Sequence, residues 1–178
     1  MELQILHAIQ GLHAAWLNPV MIFFSAIGEV GLVWILISIV LALIPRTRRC
    51  GLSMMAAMAL SFLLGNVFLK NLIARPRPCI VDTSVTMLVP VPAEYSFPSG
   101  HSLNGFTAAV TLFLYYRKPG IAALALAAAI AFSRMYLFVH YPTDILAGMV
   151  LGILDACLVV WLLRRKVWKD ATGVNKAL

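Results

Sequence analysis

TDILAGMVLGILDACLVVWLL, residues 143–163, decides the fold. This stretch carries two carboxylates, Asp144 and Asp155, and no cation. A helix needs about 20 such residues to cross ~30 Å of hydrocarbon with its backbone hydrogen bonds satisfied. Tyr141-Pro142 precedes it and Arg164-Arg165-Lys166 follows, so both ends are marked. Three more apolar runs occupy about 20–44, 52–70 and 121–138, and a fifth, more polar, occupies about 99–116. Hydrophobic residues make up 62% of the chain and charged ones 12%, against about 45–50% and about 25% in soluble domains. The spacing predicts an all-α, polytopic transmembrane helix bundle of five spans, forming a single membrane-embedded domain over residues 1–178.

Residues 2–16 have a different pattern. Leu3, Ile5, Leu6, Ile9, Leu12 and Trp16 cluster on one helical face, with Glu2, Gln4, His7 and Gln10 largely opposite. That distribution predicts a helix lying in the interface. Glu2 stands where a secretory signal carries positive charge, and no small-residue cleavage site follows. Cys50, Cys79 and Cys157 are odd in number and differ in expected depth, so all three are read as free thiols. Residues 167–178 are expected to form a frayed cytoplasmic tail.

Orientation follows from the cations. Arg46, Arg48 and Arg49 join spans one and two, Arg117 and Lys118 join three and four, and Arg164, Arg165, Lys166 and Lys169 follow span five. With five spans these groups share one side, the cytoplasmic one. With Lys176 they account for ten of the fourteen basic residues. Lys70, Arg75, Arg77 and Arg134 fall at the opposite end, where topology gives them no reason to exist.

Three loops converge at that outer end. Lys70 closes span two, and Ala74-Arg75-Pro76-Arg77-Pro78 follows. The prolines impose extended geometry, so the two arginines point the same way. A pair of interfacial arginines binding lipid headgroups is the competing reading. Span three opens with Pro98-Ser99-Gly100-His101, a helix start whose free N–H groups suit an anion. A lone histidine there is more often a surface or capping residue. Span four ends in Ser133-Arg134. His140 follows, and Asp144 lies at i+4, close enough to hold one imidazole nitrogen and leave the other as a nucleophile. A structural His–Asp cap fits those two residues equally well. Clustered cations without matching carboxylates call for an anion, and a tetrahedral phosphate suits arginine forks, a lysine and helix-start amides.

Lys70-x6-Arg77-Pro78, then Pro98-Ser99-Gly100-His101, then Ser133-Arg134-x5-His140-x3-Asp144 resembles the type 2 phosphatidic acid phosphatase superfamily of membrane lipid phosphatases, related to the vanadium-dependent haloperoxidases. All three motifs are complete and in order over residues 70–144. The resemblance implies that His140 attacks phosphorus to form a phosphohistidine, supported by Asp144. It implies that His101 protonates the leaving oxygen and later activates water. Lys70, Arg77, Ser99, Gly100 and Arg134 would hold the phosphoryl oxygens, with no metal and no other cofactor. Arg75 lies outside the motif and takes a supporting role. Many members have six spans, whereas here the first looks like a short interfacial helix.

The implied partners are a lipid phosphate substrate and membrane lipids, with no nucleic acid. Undecaprenyl diphosphate is the favoured substrate, and phosphatidylglycerol phosphate or phosphatidic acid the alternative. Glu29, Asn66, Asn104 and Asp155 lie within apolar stretches, where such residues face the bundle interior or a cavity, as a second layer behind the site or as interhelical hydrogen-bonding groups; Glu29, after Gly28, is also placed near the outer interface. An anion channel or lipid-binding protein would need the cations but not His140. A metallohydrolase built on His101, His140 and Asp144 would lose activity to chelators. The orientation is testable by labelling single cysteines from outside the cell: position 90 should react and position 118 should not. The reverse pattern would move the site to the cytoplasm.

Overall fold

The computed structural model describes residues 1–167, and their regular elements are all helical. The expected tail, past Val167, lies outside the described residues. The helices are α1 (Glu2–Gln10), α2 (Leu17–Ile27), α3 (Leu32–Leu43), α4 (Arg48–Ser61), α5 (Lys70–Ile73), α6 (Pro78–Val81), α7 (Gly100–Tyr115), α8 (Arg117–Tyr136) and α9 (Pro142–Lys166). By length and composition, the segments Arg48–Val81, Arg117–Tyr136 and Pro142–Lys166 can each cross a membrane. The pair Leu17–Ile27 and Glu29–Leu43 makes a fourth if its two bent halves count as one span.

The expected run over 20–44 is therefore broken, with a bend of 46°. Val30 and Gly31 adopt left-handed φ values of +53° and +73°, which an α-helix of L residues cannot continue. The interfacial helix expected over 2–16 ends early, at Gln10, and its apolar face is divided. Leu6 is fully buried against Tyr136, Leu137, Phe138 and Val139, while Leu12 and Trp16 lie beyond the helix end and remain exposed.

Helix α7 is the centre of the bundle. It has 16 residues, fewer than a free-standing span, and Ser102 through Leu112 are all buried. Its polar side chains therefore meet protein, which is how a more polar helix can lie among apolar ones. Helix α9 packs on it through Gly148 and Gly152. A Cβ at either position would come within 2.7 Å of a backbone oxygen, of Ser99 and Leu103 respectively. Small residues four apart let two backbones approach this closely. Thr107 on α7 and Asp155 on α9 meet at Ser61, whose hydroxyl lies 2.7 Å from Thr107 Oγ1 and bonds Asp155 Oδ2.

After Ser61 the helix widens into a π-helical stretch, Phe62–Leu69, before returning to α at Lys70. Such stretches shift helical phase and recur at functional sites. Here the shift ends at Lys70, the first residue of the basic cluster. Ala74, at φ +47°, then terminates α5 and releases the extended Arg75–Arg77 segment.

The α7–α9 contact holds the Ser99 turn beside Asp144, with Ser99 N–H donating to Asp144 O at 3.1 Å. Gly148→Ala and Gly152→Ala should each destabilise the protein by about 1–3 kcal/mol through overpacking, read as lowered Tm in detergent. Gly148→Ala should also disturb whatever the Ser99 turn does more than Gly152→Ala, read as the larger loss of activity, because its contact is with that turn itself.

Candidate active site

His140 lies in the short α8–α9 connection and is 2% exposed. Phe138, at φ +58°, makes the left-handed turn that carries the chain back toward the bundle. Imidazole Nδ1 lies 3.5 Å from Asp144 Oδ2. The same oxygen accepts from Ser96 Oγ at 2.5 Å and from the Tyr141 N–H at 2.9 Å. Ser96 Oγ is also 3.4 Å from His140 Nδ1, so serine and histidine share one carboxylate oxygen. The other oxygen, Oδ1, accepts from Arg75 Nη1 at 2.7 Å. Arg75 is held in turn by Glu2, at 2.6 Å from Nη2, and lies over the Tyr141 ring.

On the opposite edge of the ring, His140 Nε2 lies 3.2 Å from Arg77 Nη1. A guanidinium can only donate. Nε2 therefore presents its lone pair, and the proton belongs on Nδ1, facing Asp144. Burial, reinforced by the charges of Arg77 and Arg134, pushes the His140 pKa well below its ordinary value despite the opposing pull of Asp144. The imidazole is neutral at physiological pH, the form a nucleophile requires.

Nε2 faces a cavity of about 610 Å³ lined by Lys70, Arg77, Gly100, His101, Arg134 and His140, with other residues. Lys70 is buried and pairs with Glu94. The bond from Lys70 comes first in holding the Glu94 carboxyl below the usual range. Arg77 donates through Nε to Glu94 O at 2.6 Å and through Nη1 to Val139 O at 2.9 Å. Arg134 bonds Ser25 Oγ through Nη1, and its Nε is buried without a partner among the described residues. An unpaired guanidinium N–H in a buried site is costly unless a ligand oxygen meets it.

His101 stands across the cavity, its Nε2 donating to Ser25 O at 3.1 Å. Its ring packs under Gly28, where an added Cβ would lie 2.9 Å from His101 Cδ2. Of the residues expected from sequence, Lys70, Arg77, Gly100, His101, Arg134 and His140 share one cavity. Asp144 stands behind His140. The Ser99 hydroxyl is fully buried and turned into α7, accepting from Ser102 N–H at 3.4 Å.

Ser96, Glu94, Ser25 and Glu2 were not anticipated as parts of the site. Glu94 had a visible signal, being the sole acid between Asp82 and His101, in a loop flanked by cations.

A buried, carboxylate-oriented imidazole beside a cation-lined cavity is an arrangement suited to phosphoryl transfer. The PAP2 superfamily model matches residues 50–168. An undecaprenyl-diphosphatase of Sulfolobus acidocaldarius is 37% identical over 92% of this chain and 76% of its own length. The Bacillus subtilis undecaprenyl-diphosphatase BcrC is 29% identical over 86% of this chain and 80% of its own. Among solved structures, a PAP2-type phosphatidylglycerolphosphate phosphatase from Bacillus subtilis aligns with TM-score 0.74 and 29% identity, covering 92% of this chain and 84% of that one. Aquifex aeolicus LpxE aligns with TM-score 0.80 and 25% identity, over 90% and 94%. The chain belongs to the PAP2 superfamily and is a membrane phosphatase of lipid phosphates.

Arg75 is not among the residues lining the cavity and touches the site only through Asp144 and its neighbours. Arg75→Leu should therefore lower kcat by roughly 10–100-fold, the usual cost of losing an orienting partner, with a smaller change in KM. Arg75→Lys should recover only part of this, since an ammonium cannot span Asp144 and Glu2 as a planar fork does. A KM increase as large as the kcat loss would show that Arg75 meets the substrate directly.

Proposed function

We propose that this chain cleaves undecaprenyl diphosphate to undecaprenyl phosphate at the extracytoplasmic membrane face, through a phosphohistidine on His140. The observation that carries the chemistry is the donor-only contact of Arg77 with His140 Nε2, with Asp144 on the other nitrogen. The substrate reading is supported by the relatives named for that activity. The fold we infer is five spans with α1 in the interface, in one domain, counting the bent α2–α3 pair and the enclosed α7 as crossings. Positive charge on the loops opposite the site supports the orientation.

In this mechanism Nε2 attacks the terminal phosphorus. A P–N bond forms as the bridging P–O bond breaks, and the electron pair leaves on the lipid phosphate, which takes a proton from His101. Water then attacks the phosphohistidine and gives its proton to His101. The P–N electron pair returns to Nε2 as inorganic phosphate departs. Lys70, Arg77, Arg134 and the Ser99–Gly100 helix start hold the equatorial oxygens, where charge accumulates. The unpaired Nε of Arg134 supports its part in this. A second reading, hydrolysis of phosphatidylglycerol phosphate or phosphatidic acid, is favoured by the likeness to the Bacillus subtilis phosphatase.

Phosphate release from undecaprenyl diphosphate, phosphatidylglycerol phosphate and phosphatidic acid, in detergent with a chelator, tests both. Activity should persist with chelator, and vanadate should compete with substrate as a transition-state mimic. Loss on chelation with recovery on adding zinc would sink the mechanism. His140→Ala should abolish turnover on every substrate. His101→Ala should cost roughly 10²–10⁴-fold, less on the diphosphate, whose leaving phosphate has a second pKa of ~6, than on monoesters that expel an alkoxide. Equal losses would place His101 mainly on the water in the second step.

A further inference from the structure

Two carboxamides in the cavity remain unused by this mechanism. Asn66 lies in the π-helical stretch, one turn before Lys70, and Asn104 lies one turn into α7 beyond His101. Both line the same cavity as Lys70, Arg77, Arg134 and the two histidines. Asn104 is 7% exposed, and Oδ1 of each asparagine is buried without a hydrogen-bond partner among the described residues. Neither Oδ1 makes an interhelical hydrogen bond among the described residues. Two carboxamides removed from water with an oxygen unpaired are unfavourable in an empty site.

Their positions are also built. Asn66 Oδ1 sits 3.0 Å from where a Cβ on Gly100 would be, so the amide lies against the glycine of the phosphate turn. Asn104 Nδ2 sits 3.2 Å from where a Cβ on Gly31 would be, at the left-handed break between α2 and α3. The same cavity is lined on its apolar side by Ile22, Ala26, Val30 and Phe62.

We infer that Asn66 and Asn104 form a second phosphoryl subsite, which receives the inner, leaving phosphate of a lipid diphosphate. The inference rests on the His140 mechanism and on a diphosphate substrate. In-line displacement puts the leaving oxygen on the side of phosphorus opposite His140 Nε2. On the reading of His101 as proton donor, that side is the His101 wall, where Asn104 follows on the same helix. The charge also matches. A terminal phosphoryl group near two negative charges takes the three cations, whereas the inner phosphate carries one charge and is served by neutral donors. An amide can donate to its oxygens through NH2 and accept through C=O. Beyond it, the apolar wall suits the hydrocarbon chain.

Farnesyl diphosphate and farnesyl monophosphate differ only in the inner phosphate, so their kcat/KM ratio isolates this subsite. Asn66→Leu and Asn104→Leu should each lower the diphosphate-to-monophosphate ratio roughly ten-fold, the loss expected for one hydrogen bond to a charged group. The double variant should lower it further. Vanadate, which fills only the terminal position, should still inhibit the variants and so report an intact site. Should a leucine variant fail to fold, Asn66→Asp and Asn104→Asp keep the size and polarity while opposing an anion, and must lower the ratio at least as much. An unchanged ratio, whether both substrates are lost equally or neither is affected, overturns the inference and leaves the amides to bound water or to packing. His140→Ala measured alongside separates the two levels. Turnover in that variant removes the underlying mechanism, whereas a dead His140→Ala with unchanged ratios in the asparagine variants removes the subsite alone.

Discussion

Asp144 is fully buried, and its two carboxylate oxygens gather donors from three parts of the chain, one of them tied in turn to a fourth. The Ser96 hydroxyl, the Tyr141 N–H and His140 Nδ1 share Oδ2, while Arg75 holds Oδ1 and is itself held by Glu2 of α1. A carboxylate so placed is stable only while every donor stays in reach, since removing one partner leaves buried charge exposed to a low dielectric. The loop after α5, the approach to α7, the α8–α9 connection and the N-terminal helix are thereby fixed to one point. Imidazole orientation is a consequence of that arrangement rather than a separate feature.

The bundle brings those segments together by close backbone approach. Glycines on α9 bring α7 near enough for the Ser99 N–H to reach the carbonyl of Asp144. Ser61 ties α4, α7 and α9 at one level, and the π-helical stretch above it resets the helix before Lys70. Each contact is modest in energy. Together they explain why α7 can be short and polar: it is enclosed by helices and need not satisfy lipid. The left-handed break at Val30–Gly31 keeps α2 and α3 from running straight past the site, and its edge becomes cavity wall.

Much of this was legible in the residue order, for a physical reason. His140–Asp144 and Ser99–His101 are local arrangements, set by helix periodicity and visible without tertiary structure. Arg75 and Arg77, expected from extended geometry to point the same way, instead meet opposite sides of His140, because Asp144 draws Arg75 behind the ring. Helix positions followed from hydrophobic length. The partners that could not be seen act at long range: Ser96 meets Asp144 from 48 residues away, Glu2 meets Arg75 from 73, and Ser25 meets Arg134 from 109. A serine or a glutamate carries no periodic signal of such a contact. The break in the first long apolar run was hidden similarly, because Val30 is an ordinary membrane residue whose left-handed backbone is imposed by its surroundings. Helix α1 was recognisable as amphipathic, but its role as an anchor for Arg75 and for the 136–143 segment was not.

The arrangement of charge explains how the site keeps a buried carboxylate apart from three cations within a few ångströms. The His140 ring divides it into two compartments. Behind the ring, Glu2, Arg75 and Asp144 form a chain of alternating charge with one negative charge in excess, which suits a protonated Nδ1. In front, Lys70, Arg77 and Arg134 face the cavity, and none is paired with the buried carboxylate. Arg77 rests on backbone carbonyls, Arg134 on a serine hydroxyl, and Lys70 on Glu94, whose side chain is 69% exposed. Those partners are neutral, or well solvated and able to retreat. Had Asp144 faced forward, it would have neutralised the cations and repelled an incoming phosphate. Had Arg75 faced forward, Asp144 would have lost its counter-charge and become a poor acceptor for the imidazole proton. The two arginines of Arg75-Pro76-Arg77 thus serve opposite sides of one imidazole: Arg75 steadies the carboxylate behind it, and Arg77 meets the lone pair in front.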